Sequence, residues 1–292
     1  MIQTVIIIAI SPLLSGFIRK VKNLLRMRRG MSVFQPYYNI AKLFSKDEVV
    51  SRDASWIFSV APVVVLSSSV AACFLLPALG AKPFTNIAGD LLVIFFILAL
   101  GRFFLALAGL DTGSAFGGMG SSREMFISSI AEPAVFISIF ALGINYGSTS
   151  AAAIAGGGAV RLSVILASSA LFMVAIAETS RIPIDNQETH LELTMIHEAM
   201  ILEYSGRSLA MIELAGHIKQ FIFFTIISLA LPAFVPGWPF WLSFPLRLII
   251  ISMAVAVIEI SFAKMRLFRA VDYLTFALFI AFAAAAAAIT GV

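Results

Sequence analysis

The sequence predicts an all-α integral membrane protein of about eight transmembrane helices, and three observations carry that reading. Of its 292 residues 60% are hydrophobic and only 12% charged, with a mean hydropathy of +1.00. A soluble domain carries roughly 25% charged residues, so half that number cannot cover a globular surface, and lipid must solvate much of it. Apolar runs of membrane-spanning length, about 20 residues, recur along the whole chain. The connections between them alternate between charged and bare.

The spans fall near 1–18, 57–80, 88–110, 125–146, 160–179, 209–233, 240–263 and 270–291. The first, Met1 to Ile18, has no basic leader and no small-residue cleavage site, so it reads as a membrane helix rather than a signal peptide. The last ends in Ala283 to Ala288, small residues that let a neighbouring helix approach closely. Nine Lys or Arg lie in 19–53, and further positive charge lies in 111–124, 180–208 and 264–272. The connections at 81–90, 147–159 and 234–239 are nearly bare. By the positive-inside rule the charged loops are cytoplasmic and both termini extracytoplasmic. One extra or missing span would break the alternation.

The whole chain, 1–292, reads as a single polytopic membrane domain in the inner membrane, without internal repeat. The net charge of +4 is explained by loop orientation, so no nucleic-acid partner is implied. Cys73 is the only cysteine, which excludes an intrachain disulfide or a CxxC metal site. Between the first two spans, PYYNIAKLFS (36–45) places Tyr37, Ile40, Ala41 and Phe44 on one helical face. That is the pattern of a cytoplasmic amphipathic helix, lying at the interface or packed on a partner. Bound lipid is compatible with either.

Ionisable groups at membrane depth are the candidates for function, because each costs about 2.5–3.5 kcal/mol to insert and must face the protein interior. They are Arg102 in the third span, Glu132 in the fourth, Glu178 closing the fifth, Glu213, His217 and Lys219 in the sixth, and Glu259 in the seventh. Glu213 and His217 are i,i+4 neighbours. Carboxylates and histidines at depth can bind and release protons in sequence; the other reading is structural ion pairs between helices. The 180–208 loop adds Arg181, Asp185, Glu188, Glu192, Glu198 and Glu203, with His190 and His197 among them. His197-Glu198 is followed by Ile201 where HExxH needs a second histidine, so a zinc-protease site fails and no metal site is assigned. The 109–124 stretch, GLDTGSAFGGMGSSRE, reads as a Gly- and Ser-rich loop without a Walker lysine, suited to a partner's backbone. No nucleophile–base set is evident, so no catalytic residue is assigned. Close packing of the central spans is expected to crowd Glu132, Glu178, Glu203 and Glu213, so that one or more stays protonated.

These stretches resemble the subunit-1 family of respiratory complex I, the NADH-quinone oxidoreductase, and its relatives in energy-converting membrane-bound nickel–iron hydrogenases. The likeness runs over nearly the whole chain. It includes the basic RRGMSVFQPYYNIAKLFSKDEV stretch (28–49), Gly101 to Glu124 with its DTGS and GSSRE elements, Glu132-Pro133, and Glu178…Arg181-x-Pro183-x-Asp185…Glu203-Tyr204-Ser205-Gly206. The DTGS loop, and His190 where the quinone-reducing branch has a glutamate, favour the hydrogenase branch of hydrogenase-4, formate hydrogenlyase and Ech-type complexes. The resemblance implies a membrane subunit that carries no cofactor. Iron–sulfur clusters and a nickel–iron centre are then expected in soluble large, small and ferredoxin-like partners, beside antiporter-like membrane subunits. Arg26, Arg28, Arg29, Asp111 and Arg123 are the expected docking residues for the soluble arm. The carboxylates from Glu132 to Glu259 would link redox chemistry to movement of H⁺ or Na⁺. Alternatives are a complex I subunit contributing to a quinone site, and a stand-alone ion transporter.

Overall fold

The structure is a computed structural model and describes residues 2–51, 54–76, 90–155, 161–185, 195–231 and 240–291. Eleven helices follow one another among these residues: α1 (Ile2–Leu25), α2 (Gln35–Phe44), α3 (Trp56–Leu75), α4 (Leu91–Asp111), α5 (Ala115–Tyr146), α6 (Ala151–Ala155), α7 (Leu162–Glu178), α8 (His197–Ile201), α9 (Gly206–Ala230), α10 (Phe240–Ser261) and α11 (Leu267–Thr290). Seven are long and apolar enough to cross a membrane: α1, α3, α4, α5, α9, α10 and α11. The eighth apolar helix, α7, has 17 residues, the lower limit for a span. The protein is an all-α integral membrane protein.

Local chemistry sets several helix ends. Ser55, Asp90 and Ser114 each precede a helix and accept a backbone N–H from its first turn, at 3.3, 3.0 and 3.0 Å. Gly147 ends α5 at a φ of 70°, a left-handed conformation that side chains resist. Prolines inside spans leave a carbonyl one turn back without its N–H. In α1 the Ser11 hydroxyl donates to that carbonyl, Ile8 O, at 3.1 Å, and so covers the gap left by Pro12.

The helices pack around α9, the most enclosed of the seven long spans, while α11 is the least enclosed. One group is α4, α5, α7 and α11; another is α1, α9 and α10; α3 bridges α4 and α9. Large apolar side chains such as Phe96, Phe103, Phe276 and Phe279 face outward, as a lipid-solvated surface requires.

Three expectations change. Helix α1 runs on to Leu25, so Arg19, Lys20 and Lys22 are helical rather than loop, and Lys22 is buried. The expected Gly-rich loop 109–124 is a connection of three residues, 112–114, and Ala115 to Glu124 is the first third of α5. The glycines there serve helix contact: a Cβ on Gly117 would strike the Gly109 carbonyl oxygen, and one on Gly120 would lie 2.9 Å from Ala199 Cβ and 3.0 Å from Ile196 O. Finally, α2 turns Pro36 and Ile40 inward and leaves Ala41 and Phe44 exposed, because it is seated on α1 and α9 rather than by its most apolar stripe.

Candidate functional site: buried charge around a polar cavity

Arg102, nine residues before the end of α4, donates to both Glu132 on α5 and Glu178 on α7. Lys219 on α9 completes the set, its Nζ 2.6 Å from Glu178. Four membrane helices are thereby tied through two cations and two carboxylates. Glu178 and Arg102 are each 9% exposed and Glu132 42%. In a low-dielectric interior such charges persist only as pairs.

A second set lies between α1, α9 and α10. Glu259 accepts from Arg181 Nη1 at 2.8 Å and faces Lys22 Nζ at 3.3 Å, with all three buried. Arg181 also donates through Nη2 to Gln220 Oε1 at 2.9 Å. The same oxygen accepts from Ser15 Oγ at 2.6 Å, and Ser15 Oγ stands 2.8 Å from His217 Nδ1.

Arg181 reaches this place because α7 ends early. Residues 179–185 are all buried, and irregular backbone at membrane depth is stable only inside protein or along a cavity. Asp185 closes the stretch: it pairs with Lys264 at 2.7 Å and accepts the backbone N–H groups of Ile196 and His197 at 3.1 Å, fixing the start of α8.

Between these sets lies a polar cavity of about 240 Å³. Glu178, Arg181, Glu198, Glu213, His217 and Lys219 line it, with Arg19 and Asn39 at the α1–α2 side. A smaller void of about 40 Å³ shares His197, Ile212, Gly216 and Lys219 with it and extends to Arg102 and Glu124. Carboxylates paired with cations beside a cavity that can hold several waters can respond to nearby charge. Among the described residues no group of three His, Cys, Asp or Glu side chains converges as a metal-ligand set.

The residues expected from sequence are distributed unevenly. Arg102, Glu132, Glu178 and Lys219 meet directly; Arg181 and Glu259 meet; Glu213, His197 and His217 face the cavity. Of the four carboxylates expected to crowd together, Glu132 and Glu178 share Arg102, Glu178 and Glu213 line one cavity, and Glu203 is exposed at the turn before α9. Its neighbour Tyr204 is the buried one, stacked on Phe58. Burial, with Asp111 and Glu48 nearby, pushes the Tyr204 phenol above its ordinary range. Glu188, His190 and Glu192 lie outside the described residues. Arg26, Arg28 and Arg29 are exposed beyond α1. Asp111 and Arg123 are turned to internal partners, accepting from Ser55 N at 2.8 Å and donating to Met195 O at 2.9 Å respectively. Lys22, Ser15, Gln220 and Lys264 were not anticipated. A signal existed for the first two: Ser11, Ser15, Ile18 and Lys22 recur at helical spacing on α1, and all are buried.

Fold and site together define a polytopic membrane protein with a charge network at its centre. The chain belongs to the NADH dehydrogenase family, whose model matches residues 1–291. It is 35% identical to hydrogenase-4 component C of Escherichia coli (strain K12) over 239 residues, covering 80% of this chain and 74% of that protein. Formate hydrogenlyase subunit 4 of the same organism is 28% identical over 265 residues, with 89% and 84% covered. An NADH-quinone oxidoreductase subunit of Neisseria meningitidis serogroup C (strain 053442) is 29% identical over 243 residues, with 77% and 66% covered. The fold matches a chain of the membrane-bound sulfane sulfur reductase, an archaeal respiratory membrane complex, with a TM-score of 0.84 over 98% of both chains at 20% identity.

Proposed function

We propose that this chain is the membrane subunit of a respiratory-type hydrogenase complex, and that it couples redox chemistry in soluble partners to movement of H⁺ or Na⁺. Its similarity to hydrogenase-4 component C and formate hydrogenlyase subunit 4 supports the complex. The observation that carries the coupling role is the Glu132–Arg102–Glu178–Lys219 set opening on a polar cavity at membrane depth. In this reading the charged ends of the helices face the cytoplasm across the inner membrane. The exposed Arg26, Arg28 and Arg29 meet a soluble arm of hydrogenase-like large and small subunits and a ferredoxin-like protein, which hold the iron–sulfur and nickel–iron centres. Antiporter-like subunits adjoin within the bilayer. A charge change in the docked arm shifts the proton affinity of the cavity groups, and the network transmits it across four helices.

Glu132→Gln tests this, since it keeps the shape and leaves the Arg102–Glu178–Lys219 pairs in place. The purified complex should assemble, retain hydrogen turnover with artificial electron carriers, and lose ion translocation driven by the natural donor. Full translocation in the variant would return Glu132 to a structural ion-pair role and remove the coupling reading.

A further inference from the structure

We infer that Ser15 and Gln220 lock His217 in its Nδ1–H tautomer, which makes His217 Nε2 the proton-accepting atom of the polar cavity. The use of that atom rests on the coupling role proposed above; the tautomer rests on geometry alone.

The orientation of the Gln220 amide is settled first. Arg181 Nη2 lies 2.9 Å from Oε1, and a guanidinium can only donate. The amide atom facing it is therefore the carbonyl oxygen, and the flipped amide is excluded. Ser15 Oγ lies 2.6 Å from the same oxygen, so the serine's single hydroxyl proton points there. Ser15 Oγ also lies 2.8 Å from His217 Nδ1. With the hydroxyl proton engaged on Gln220, this contact is a hydrogen bond only if Nδ1 carries hydrogen and donates. A neutral imidazole has one N–H, so Nε2 holds the lone pair.

The arrangement is a clamp and not a wire. His217 and Ser15 donate toward Gln220 Oε1 from one side and Arg181 from the other. An amide between two donors has no proton to hand on, so nothing passes from the cavity to Glu259 by this route. The same feature leaves Gln220 Nε2 and Arg181 Nε buried without an acceptor among the described residues. That cost is tolerated where it fixes the direction of a neighbouring group.

The atom left to act is Nε2. His217 lines the cavity of about 240 Å³ together with Glu213, one helical turn before it on α9. The charged groups facing the cavity are Arg19 from α1, Glu178 and Arg181 from α7 and its exit, Glu198 from α8, and Glu213 and Lys219 from α9. Glu213 in its acid form gives its proton, through cavity water, to the Nε2 lone pair. The products are a carboxylate and an imidazolium with hydrogen on both nitrogens. The reverse step returns the proton from Nε2, because Nδ1–H is held by Ser15. Ser15 and Gln220 are thus positioning residues for this transfer.

The test is nitrogen and carbon NMR of the full-length chain in lipid bilayers, labelled at histidine. The sequence has three histidines, and the His217→Gln variant identifies the signal. Where the ring is neutral, His217 should show a protonated Nδ1 and an unprotonated Nε2. Ser15→Ala should shift the signal toward the Nε2–H form, and Gln220→Leu should do the same, whereas Gln220→Glu, which keeps an acceptor, should preserve Nδ1–H. An Nε2–H ring in the wild-type chain overturns the inference, and so does a ring unmoved by Ser15→Ala. No turnover is needed for this readout, so loss of coupling in Glu132→Gln and failure of the tautomer lock are separate results.

Discussion

Helix α9 touches two sets of buried charge that are built differently. On its α4–α5–α7 side, two cations meet two carboxylates, and one of the carboxylates, Glu132, is 42% exposed. If either carboxylate lost its charge, Arg102 would still hold the other. On its α1–α10 side, the single carboxylate Glu259 stands between Lys22 and Arg181, with 5%, 6% and 7% of their side chains exposed. The first set can absorb a change of charge without falling apart and suits coupling. The second shares one carboxylate between two cations and suits holding α1, the buried 179–185 segment and α10 together.

The largest expected effect follows from that asymmetry. Glu259→Gln removes the carboxylate that the buried cations Lys22 and Arg181 share, and removing one partner of a buried pair costs about 3–5 kcal/mol. Thermal melting of the detergent-solubilised protein, followed by fluorescence-detected gel filtration, should show a steep loss of the folded species. Adding Lys22→Met should restore part of it, because the buried charge facing the neutralised residue 259 falls by one. Glu132→Gln should melt close to wild type. Equal damage from Glu132→Gln and Glu259→Gln would erase the distinction between the two sets.

An intermediate effect is expected where α5 carries α8. Gly120 lets α8 approach so closely that any side chain would meet Ala199 and the Ile196 carbonyl. Gly120→Leu overpacks this contact at about 1–3 kcal/mol. It also shifts His197 and Glu198, which α8 holds at the cavity. Coupled translocation should therefore fall more than melting temperature does. A loss confined to stability would mean that α8 has no part in coupling.

The same contacts mark what sequence could and could not reveal. The seven long apolar helices and the shorter α7 were legible because a run of about 20 apolar residues is a local property. The start of α5 was not, because Gly-rich and Ser-rich segments have poor intrinsic helix propensity and only the approach of α4 and α8 makes GGMGSSRE helical. The carboxylates at depth were legible as rare and costly groups. Their partners were not: whether Glu178 meets another acid or Arg102 depends on how α4, α5, α7 and α9 pack. Lys22 was hidden by reading 19–53 as one charged loop, although the stripe from Ser11 through Ser15 to Lys22 points it inward.

The smallest effect gives the comparison its baseline, since it lies outside both charge sets. Tyr204 stacks on Phe58, with ring centroids 4.0 Å apart and planes 2° from parallel, and its hydroxyl donates to Phe58 O at 2.9 Å. That carbonyl would normally accept the N–H four residues on, but residue 62 is proline and has none. The tyrosine thus supplies from α9's entry turn the hydrogen bond that α3 lacks. Tyr204→Phe keeps the stack and leaves the carbonyl without a donor, at a cost of about 1 kcal/mol. Pro62→Ala restores an N–H in place, so Tyr204→Phe should cost measurably less in a Pro62→Ala background. A double-mutant cycle by thermal melting reads this coupling directly. Additive losses would mean that Tyr204 acts through its ring alone. Translocation should be untouched in either case, which separates a residue that fastens helices from those that face the cavity.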